Sequence, residues 1–523
     1  MPLPTTFAGD SARGEGLFAS TISLGSGYWA ATLTDAYTTP FTVGTGITTD
    51  LSGNVYVCGY GLNSSNQRIA SVSKYNSSGT IQWQQTLTDA YSTPSDINNG
   101  ITIDSSGNIY VCGNCLNSAG TRTAIVYKLN SSGTIQWQQT LTDAYSTPSD
   151  YANGITIDSS NNVYVCGSGL NTAGTKTAIV YKLNSSGTIQ WQQTLTPTAA
   201  TSSTSSIALD SSNNVYVCGN AIASPNTVNL IYKLNSSGTI QWQKTITDSS
   251  TAKIRSILFS GITIDGSGNV YACGSNYNGS NLPVQLLCKY DSSGTIQWQR
   301  NLTDASTLAA GTIAFTSFSK TTTDSSGNVY VCGQGYNSSN QLIASVAKYN
   351  SSGTIQWQQT LTDAYSTPND NANGISIDSS GNVFVVGQGK NSSNQNIFFI
   401  SKYNSSGTIQ WQRTITDTYT TPSDVGYNIT IDSLGNLYVT GQITNTAGNP
   451  VMFITKLPSD GSRTGTYSNS TFGIVYASSS WTAATSTWTA STPSLTTATP
   501  TYTAAASSFT AATSTWSTSL VAL

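Results

Sequence analysis

The chain has 523 residues, more than an ordinary single domain and within reach of one repeat array closed on itself. Its 20 Lys and Arg against 23 Asp and Glu give a formal net charge of −3, without the broad basic footprint that nucleic acid or anionic lipid demands. There is no histidine and Glu15 is the sole glutamate, which removes the commonest general base and metal ligand; neither metal nor cofactor is expected, and catalysis is disfavoured.

Residues 1–26 form an N-terminal arm whose opening, MPLPTTFAGDSARGEG, lacks the basic-then-apolar order of a secretory signal. No apolar run approaches the ~20 residues of a membrane span, so a soluble chain not exported by that route is expected. From residue 27 the sequence is rich in Gly, Ser, Thr and Asn and poor in helix-forming stretches, which predicts an all-β protein with many tight turns.

A unit of about 54 residues recurs, clearest in residues 100–149. It predicts four strands: A in GITID, B in NIYVC, C in AIVYKL and D in TIQWQQTL, joined by Asp-Ser-Ser-Gly-Asn (A to B) and Asn-Ser-Ser-Gly (C to D), both hairpin signals. Strand B is apolar on both pleat faces, as for a sheet packed between two others. Strand D has one strongly apolar face and is placed at the outer edge. Cys58, Cys112, Cys166, Cys218, Cys273 and Cys332 share one slot, filled by Val386 and Thr440 in the last two units. That slot asks for a small buried side chain, so free thiols are expected rather than bridges.

Counting units predicts the architecture. Eight B strands are present, while the D-strand tryptophan follows only seven complete units, at Trp83, Trp137, Trp191, Trp242, Trp298, Trp357 and Trp411. The eighth, Trp29, stands ahead of the first unit, and after VMFITKL the residues Arg463 and Gly465 fall where Ile and Trp belong. Residues 27–33, with Trp29 and Leu33, are therefore expected to complete the last blade against 451–457. The prediction is an eight-bladed β-propeller of four-stranded antiparallel blades over residues 27–465, because closure removes the edges an open stack would leave.

The pattern GITIDSSGNVYVCG followed by YKLNSSGTIQWQQTL resembles the bacterial β-propeller repeat family called SBBP, over roughly residues 27–457. Its members are mostly surface or extracellular proteins of uncertain function, so the resemblance implies fold rather than activity. FAGDSARGEG, the Asn/Ser/Thr-rich repeats and the Thr/Ser-rich tail also resemble virion structural proteins of marine bacteriophages.

Strand alternation puts the long D-to-A and B-to-C loops on one face, the natural binding surface. Tyr37, Tyr91, Tyr145, Tyr365 and Tyr419 recur there beside amides such as Asn63, Gln67, Asn337, Gln341 and Gln395. Rings flanked by amides suit a glycan; the alternative is that each tyrosine packs over its blade and caps the loop. The repeated aspartate of the A-to-B turn (Asp50, Asp104 and equivalents) offers one carboxylate per turn, a cap rather than a calcium site. Lys253, Arg255, Phe259, Phe315 and Phe318, in the divergent loops of blades 4–6, form either a contact patch or a tucked-in set.

Residues 466–523 change to Thr, Ser and Ala, with a large residue at every seventh position: Tyr467, Ile474, Trp481, Trp488, Leu495, Tyr502, Phe509, Trp516 and Leu523. Pro493, Pro500 and the Thr/Ser content argue against a helix, and an odd period throws the large residues to alternate faces of a straight strand. The period implies a turn per repeat or an extended segment lying along a periodic partner. The tail is expected to attach the propeller, to copies of itself or to other virion proteins. The resulting expectation is a non-enzymatic virion structural protein, a phage tail or capsid appendage assembled in the host cytoplasm that touches host-surface glycan. The alternative is a cell-surface adhesin or filament protein. A glycan-cleaving enzyme would need paired carboxylates at one site, which eight near-equal blades do not supply.

Overall fold

A computed structural model describes residues 18–34, 39–63, 65–88, 95–116, 119–142, 149–171, 173–196, 201–223, 226–247, 258–277, 283–303, 317–337, 339–362, 369–391, 393–419, 423–478, 482–485, 489–491, 496–498, 503–506, 510–513 and 517–522. Among these residues there is no helix, so none long and apolar enough to cross a membrane. The strands form eight antiparallel sheets, one per blade. In the second blade they run Ile97–Ile103, Ile109–Leu116, Arg122–Leu129 and Ile135–Thr142, as the repeat predicts.

Turn chemistry explains why the hairpins close where they do. In the A-to-B turn of blade 1, Asp50 Oδ1 accepts from the backbone N–H of Ser52 and Asn54, while Oδ2 accepts from Asn54 Nδ2 and the Tyr56 hydroxyl. The turn then needs a residue at positive φ, supplied by Gly53 in blade 1 and by Asn161 and Asn213 in blades 3 and 4, since asparagine tolerates the left-handed region.

The ring closes as expected. Tyr28–Thr34 pairs with Pro450–Pro458, Trp29 opposite Lys456 and Leu33 opposite Met452, so both chain ends build the eighth blade. Trp29 and Leu33 are fully buried there.

The boundaries drawn at 26/27 and 465/466 require correction, because both flanking segments are strands of the blades. Phe18–Gly25 folds back on Tyr28–Thr34 through Ser26 and Gly27, both at positive φ, giving the eighth sheet a fifth strand. The tail does the same for the other seven. Gly473–Ser478 pairs with the D strand of blade 7, and six short strands between Thr482 and Ala522 pair in turn with those of blades 6, 5, 4, 3, 2 and 1. Strand D, expected at the outer edge, is therefore the fourth of five, and in blade 7, where Gly465–Ser468 pairs outside Gly473–Ser478, the fourth of six.

The register of this belt accounts for the period of seven. Tyr476, Ala483, Ala490, Thr497, Ala504, Ala511 and Thr518 stand opposite Ile415, Leu361, Leu302, Ile246, Leu195, Leu141 and Leu87, the same D-strand position in each blade. Neighbouring strands twist by roughly 20–25° each, so four steps turn the fifth strand about 90° from the first. One chain can therefore run round the rim and pair with every blade. The periodic partner of the tail is its own propeller.

The core lies between blades. In each seam one sheet's outward apolar residues meet its neighbour's, as where Tyr110, Cys112 and Val126 pack on Val163, Val165 and Ile179. All eight thiols are buried and unbridged. A Cβ on Gly46 would come within 3.1 Å of Cys58 Sγ and 3.0 Å of Ile101 Cγ2, so the slot is the small space beneath the A strand where the next blade inserts its isoleucine.

Candidate binding face

The tight-turn face is occupied by blade-to-blade bonding. In every blade the D-strand tryptophan Nε1 donates to a serine carbonyl in the next blade's C-to-D turn, from Trp29 to Ser77 round to Trp411 to Ser459, at 3.0–3.3 Å. The same carbonyl receives a lysine: Lys74 to Ser131, Lys128 to Ser185, and so on to Lys456 to Ser77, at 2.8–3.5 Å. Each lysine also lies over the B-strand ring of its own blade, as Lys74 over Tyr56 at 5.3 Å, and that tyrosine bonds the turn aspartate. The Asp, Tyr, Lys, Trp and Ser of the repeat are one seam, repeated round the ring with Phe384 in the tyrosine's place in blade 7. With its lone pairs filled by four donors, the Asp50 carboxylate is a turn cap.

Round the central channel a second set of seams runs through the A-strand bulges. Thr45, Asn99, Asn153 and Asn373 donate to the carbonyls of Asn98, Ala152, Thr204 and Gly426 in the following blade at 2.7–2.8 Å, and Ser205 and Ser260 to Phe259 and Phe318. The channel encloses about 200 Å³ lined by the A strands of blades 1–4, with Lys320 and Asn428 reaching in. Lys320 takes the place that glycine holds in most blades, and nothing in the sequence pattern marks it except that substitution.

On the long-loop face, Tyr37, Tyr91, Tyr145 and Tyr365 lie outside the described residues, as do Lys253, Arg255 and Phe315. Tyr419 is half-buried, and its ring covers Gly448 in the B-to-C turn of blade 8, where a Cβ would fall 2.6 Å from the hydroxyl. It packs over its blade. Asn63 and Gln67 close their turn on each other: Asn63 Nδ2 donates to Gln67 Oε1 at 2.8 Å, and Asn63 Oδ1 accepts the Ser65 and Gln67 N–H. Asn337 and Gln341, and Asn391 and Gln395, repeat the arrangement. Phe259 and Phe318 are fully buried, the tucked-in alternative. Of the tail residues singled out for attachment, Tyr467 and Ile474 are described. Ile474 is buried against blade 7, and the Tyr467 hydroxyl donates to the Arg463 carbonyl at 2.8 Å. Trp481, Trp488, Leu495, Tyr502, Phe509 and Trp516 lie outside the described residues.

The sequence reading passed over the first residue of strand C, which adjoins the end of the long loop. It is Arg68, Arg122 and Lys176 in blades 1–3, and Pro283, Leu342, Asn396 and Pro450 in blades 5–8. Arg68 lies over Tyr60, which in turn meets Phe41; Arg122 and Lys176 share the ring of Tyr151, at 5.3 and 5.5 Å from its centroid. The signal was available as a charge confined to three consecutive repeats at one position.

Between blades 7 and 8 the carboxylates of Asp417 and Asp424 meet; the repeat places aspartates at the same spacing of seven at positions 89 and 96, 143 and 150, and 363 and 370. Asp417 Oδ2 accepts the Thr444 N–H at 2.8 Å, Asp424 Oδ1 accepts the same N–H at 3.3 Å, and Asp424 Oδ2 accepts the Asp417 N–H at 2.8 Å. Burial first, then the neighbouring Asp417 carboxyl, holds Asp424 well above the usual carboxylate range.

These features define a β-propeller repeat protein. A family model described as beta-propeller repeat matches residues 418–446, and one described as outer membrane protein assembly factor BamB matches residues 65–285. No curated protein is similar in sequence. Solved structures similar in fold include polysaccharide lyase Uly1 (11% identity, 80% of this chain and 90% of that one, TM-score 0.41). A PL25 ulvan lyase bound to a GlcA-Rha3S saccharide follows (10%, 71% and 96%, 0.34), as does the exotype rhamnogalacturonan lyase YesX (10%, 84% and 89%, 0.33). The exclusion of enzymatic activity is thereby corrected. Solved structures named as polysaccharide lyases share the propeller fold with this chain.

Proposed function

We propose that the protein is a virion structural component, a phage tail or capsid appendage, whose propeller engages host-surface glycan through its long-loop face. The observation that carries this reading is the contrast between the two faces. On the tight-turn side the repeated polar groups bond the neighbouring blade, and both chain ends pair along the rim. The long-loop side carries aromatic and cationic side chains over blades 1–3 that take no part in those seams. Eight unbridged, buried thiols support assembly in a reducing cytoplasm. Attachment then falls to the rim, where Phe18–Gly25 and the tail strands pair.

Two measurements test this. Mass spectrometry and antibody labelling of purified particles are expected to find the chain in stoichiometric amount on the virion; its absence there, with presence on the cell envelope, favours an adhesin instead. A glycan array probed with the full chain, read both for retention and for depolymerised product, is expected to show binding. Silence across the array defeats the glycan half of the proposal.

A further inference from the structure

Eight of the 20 cationic residues serve the seams as lysines. Arg300 and Arg413 bond the turn carbonyls of Gly353 and Gly461, and Arg463 bonds Ser26. Arg68, Arg122 and Lys176 do none of this. They occupy one structural position in three consecutive blades, which sets them along an arc of the long-loop face, and Arg68 and Lys176 are exposed.

Two features mark the arc as a receiver of negative charge. Among the described residues no carboxylate pairs with any of the three, whereas a scaffold would ordinarily offset two cations held on one ring. Arg122, from blade 2, and Lys176, from blade 3, nevertheless share Tyr151, and Arg68 is held over Tyr60. A ring beneath a cation fixes its position at little cost and leaves its N–H donors directed outward. The arrangement is three pre-positioned cations, spaced blade by blade.

We propose that this arc binds an acidic polysaccharide, with Arg68, Arg122 and Lys176 receiving carboxylate or sulfate groups on successive parts of the polymer. The inference rests on the glycan reading above and names its ligand class. A nucleic acid fits less well: three cations neutralise few phosphates, and rings already covered by cations are not platforms for bases.

The test is titration calorimetry on the full chain with polygalacturonate, dextran sulfate, neutral dextran and oligo(dT). Binding is expected for one or both acidic polymers, weakening as salt rises, and not for dextran. The triple variant Arg68→Gln/Arg122→Gln/Lys176→Gln, with an unchanged melting curve, is expected to lose at least tenfold in affinity. Lys176→Arg retains binding, and Lys244→Gln, in the D strand Ile240–Thr247 of blade 4, leaves it unaltered. Wild-type affinity in the folded triple variant, equal binding of dextran, or tighter binding of oligo(dT) overturns the proposal, as does failure of both acidic polymers. A neutral glycan retained on the array by wild type and triple variant alike overturns this inference while leaving the glycan reading intact; no glycan at all removes both.

Discussion

Asp424 shows what burial does to a single carboxyl group. Its folded-state pKa is raised above the unfolded value, so the folded protein binds that proton more tightly than the unfolded chain does. The pair's contribution to stability is therefore complete below the unfolded value of about 3.9 and is lost as pH rises through the folded value. Asp424→Asn, which keeps a carbonyl acceptor, is expected to flatten this part of the profile and raise stability at neutral pH; urea midpoints from pH 4 to 8 measure it. Trp29 is a different case, apolar burial plus one hydrogen bond at the closing seam. Trp29→Ala is expected to cost about 3–5 kcal/mol. Trp29→Phe retains much of the packing and, because Lys456 still donates to the Ser77 carbonyl, loses only about 1 kcal/mol more for the missing N–H. Equal losses in the two variants would show that the indole N–H, not the ring, holds the seam.

At the scale of the element, the tail strands answer the problem of exposed sheet edges. Without them, strand D in seven blades presents free N–H and C=O groups, a template for another chain. Truncation after Ser478 keeps the buried Phe472, Ile474 and Tyr476 while uncovering the D strands of blades 1–6. The expected outcome is a folded propeller that self-associates, seen by light scattering after gel filtration. This is the opposite of the release of monomer that an attachment role alone predicts, and a monomeric product with an unchanged melting temperature would show that the belt does not protect the edges. The seven-residue period was visible in the composition, and so was the need for a periodic partner. That the partner is the chain's own blade edges was not, because pairing across the rim depends on the accumulated twist of strands tens to hundreds of residues away.

For the whole molecule, closure by both chain ends makes the blades interdependent. The six slot cysteines, with Cys115 and Cys288, lie inside this ring, and burial pushes the Cys58 thiol up to about 12. Thiolate is the reactive form, so reaction with a thiol reagent at pH 8 is expected to be negligible in the native protein and to reach all eight on unfolding. Labelling that follows the global unfolding rate in urea would fit a ring that opens as a unit; early modification of a subset would locate a weak seam. The same closure leaves the two flat faces as the unbelted surfaces of the body, and the faces differ in what their side chains are engaged in.

Period, turn residues and the displaced Trp29 determined eight antiparallel blades and their closure, because each depends on local chemistry repeated in register. The roles of the polar side chains were decided by the tertiary structure. Tyr419, Asn63 and Gln67 looked like ligand-reading groups in a list of loop residues, yet they pack on or bond their own turns. Arg68, Arg122 and Lys176 stand 54 residues apart along the chain, and the blades set them on one arc. Whether a polar group is free to meet a ligand depends on which neighbour the ring brings within bonding distance, and the repeat, read along the chain, does not contain that distance.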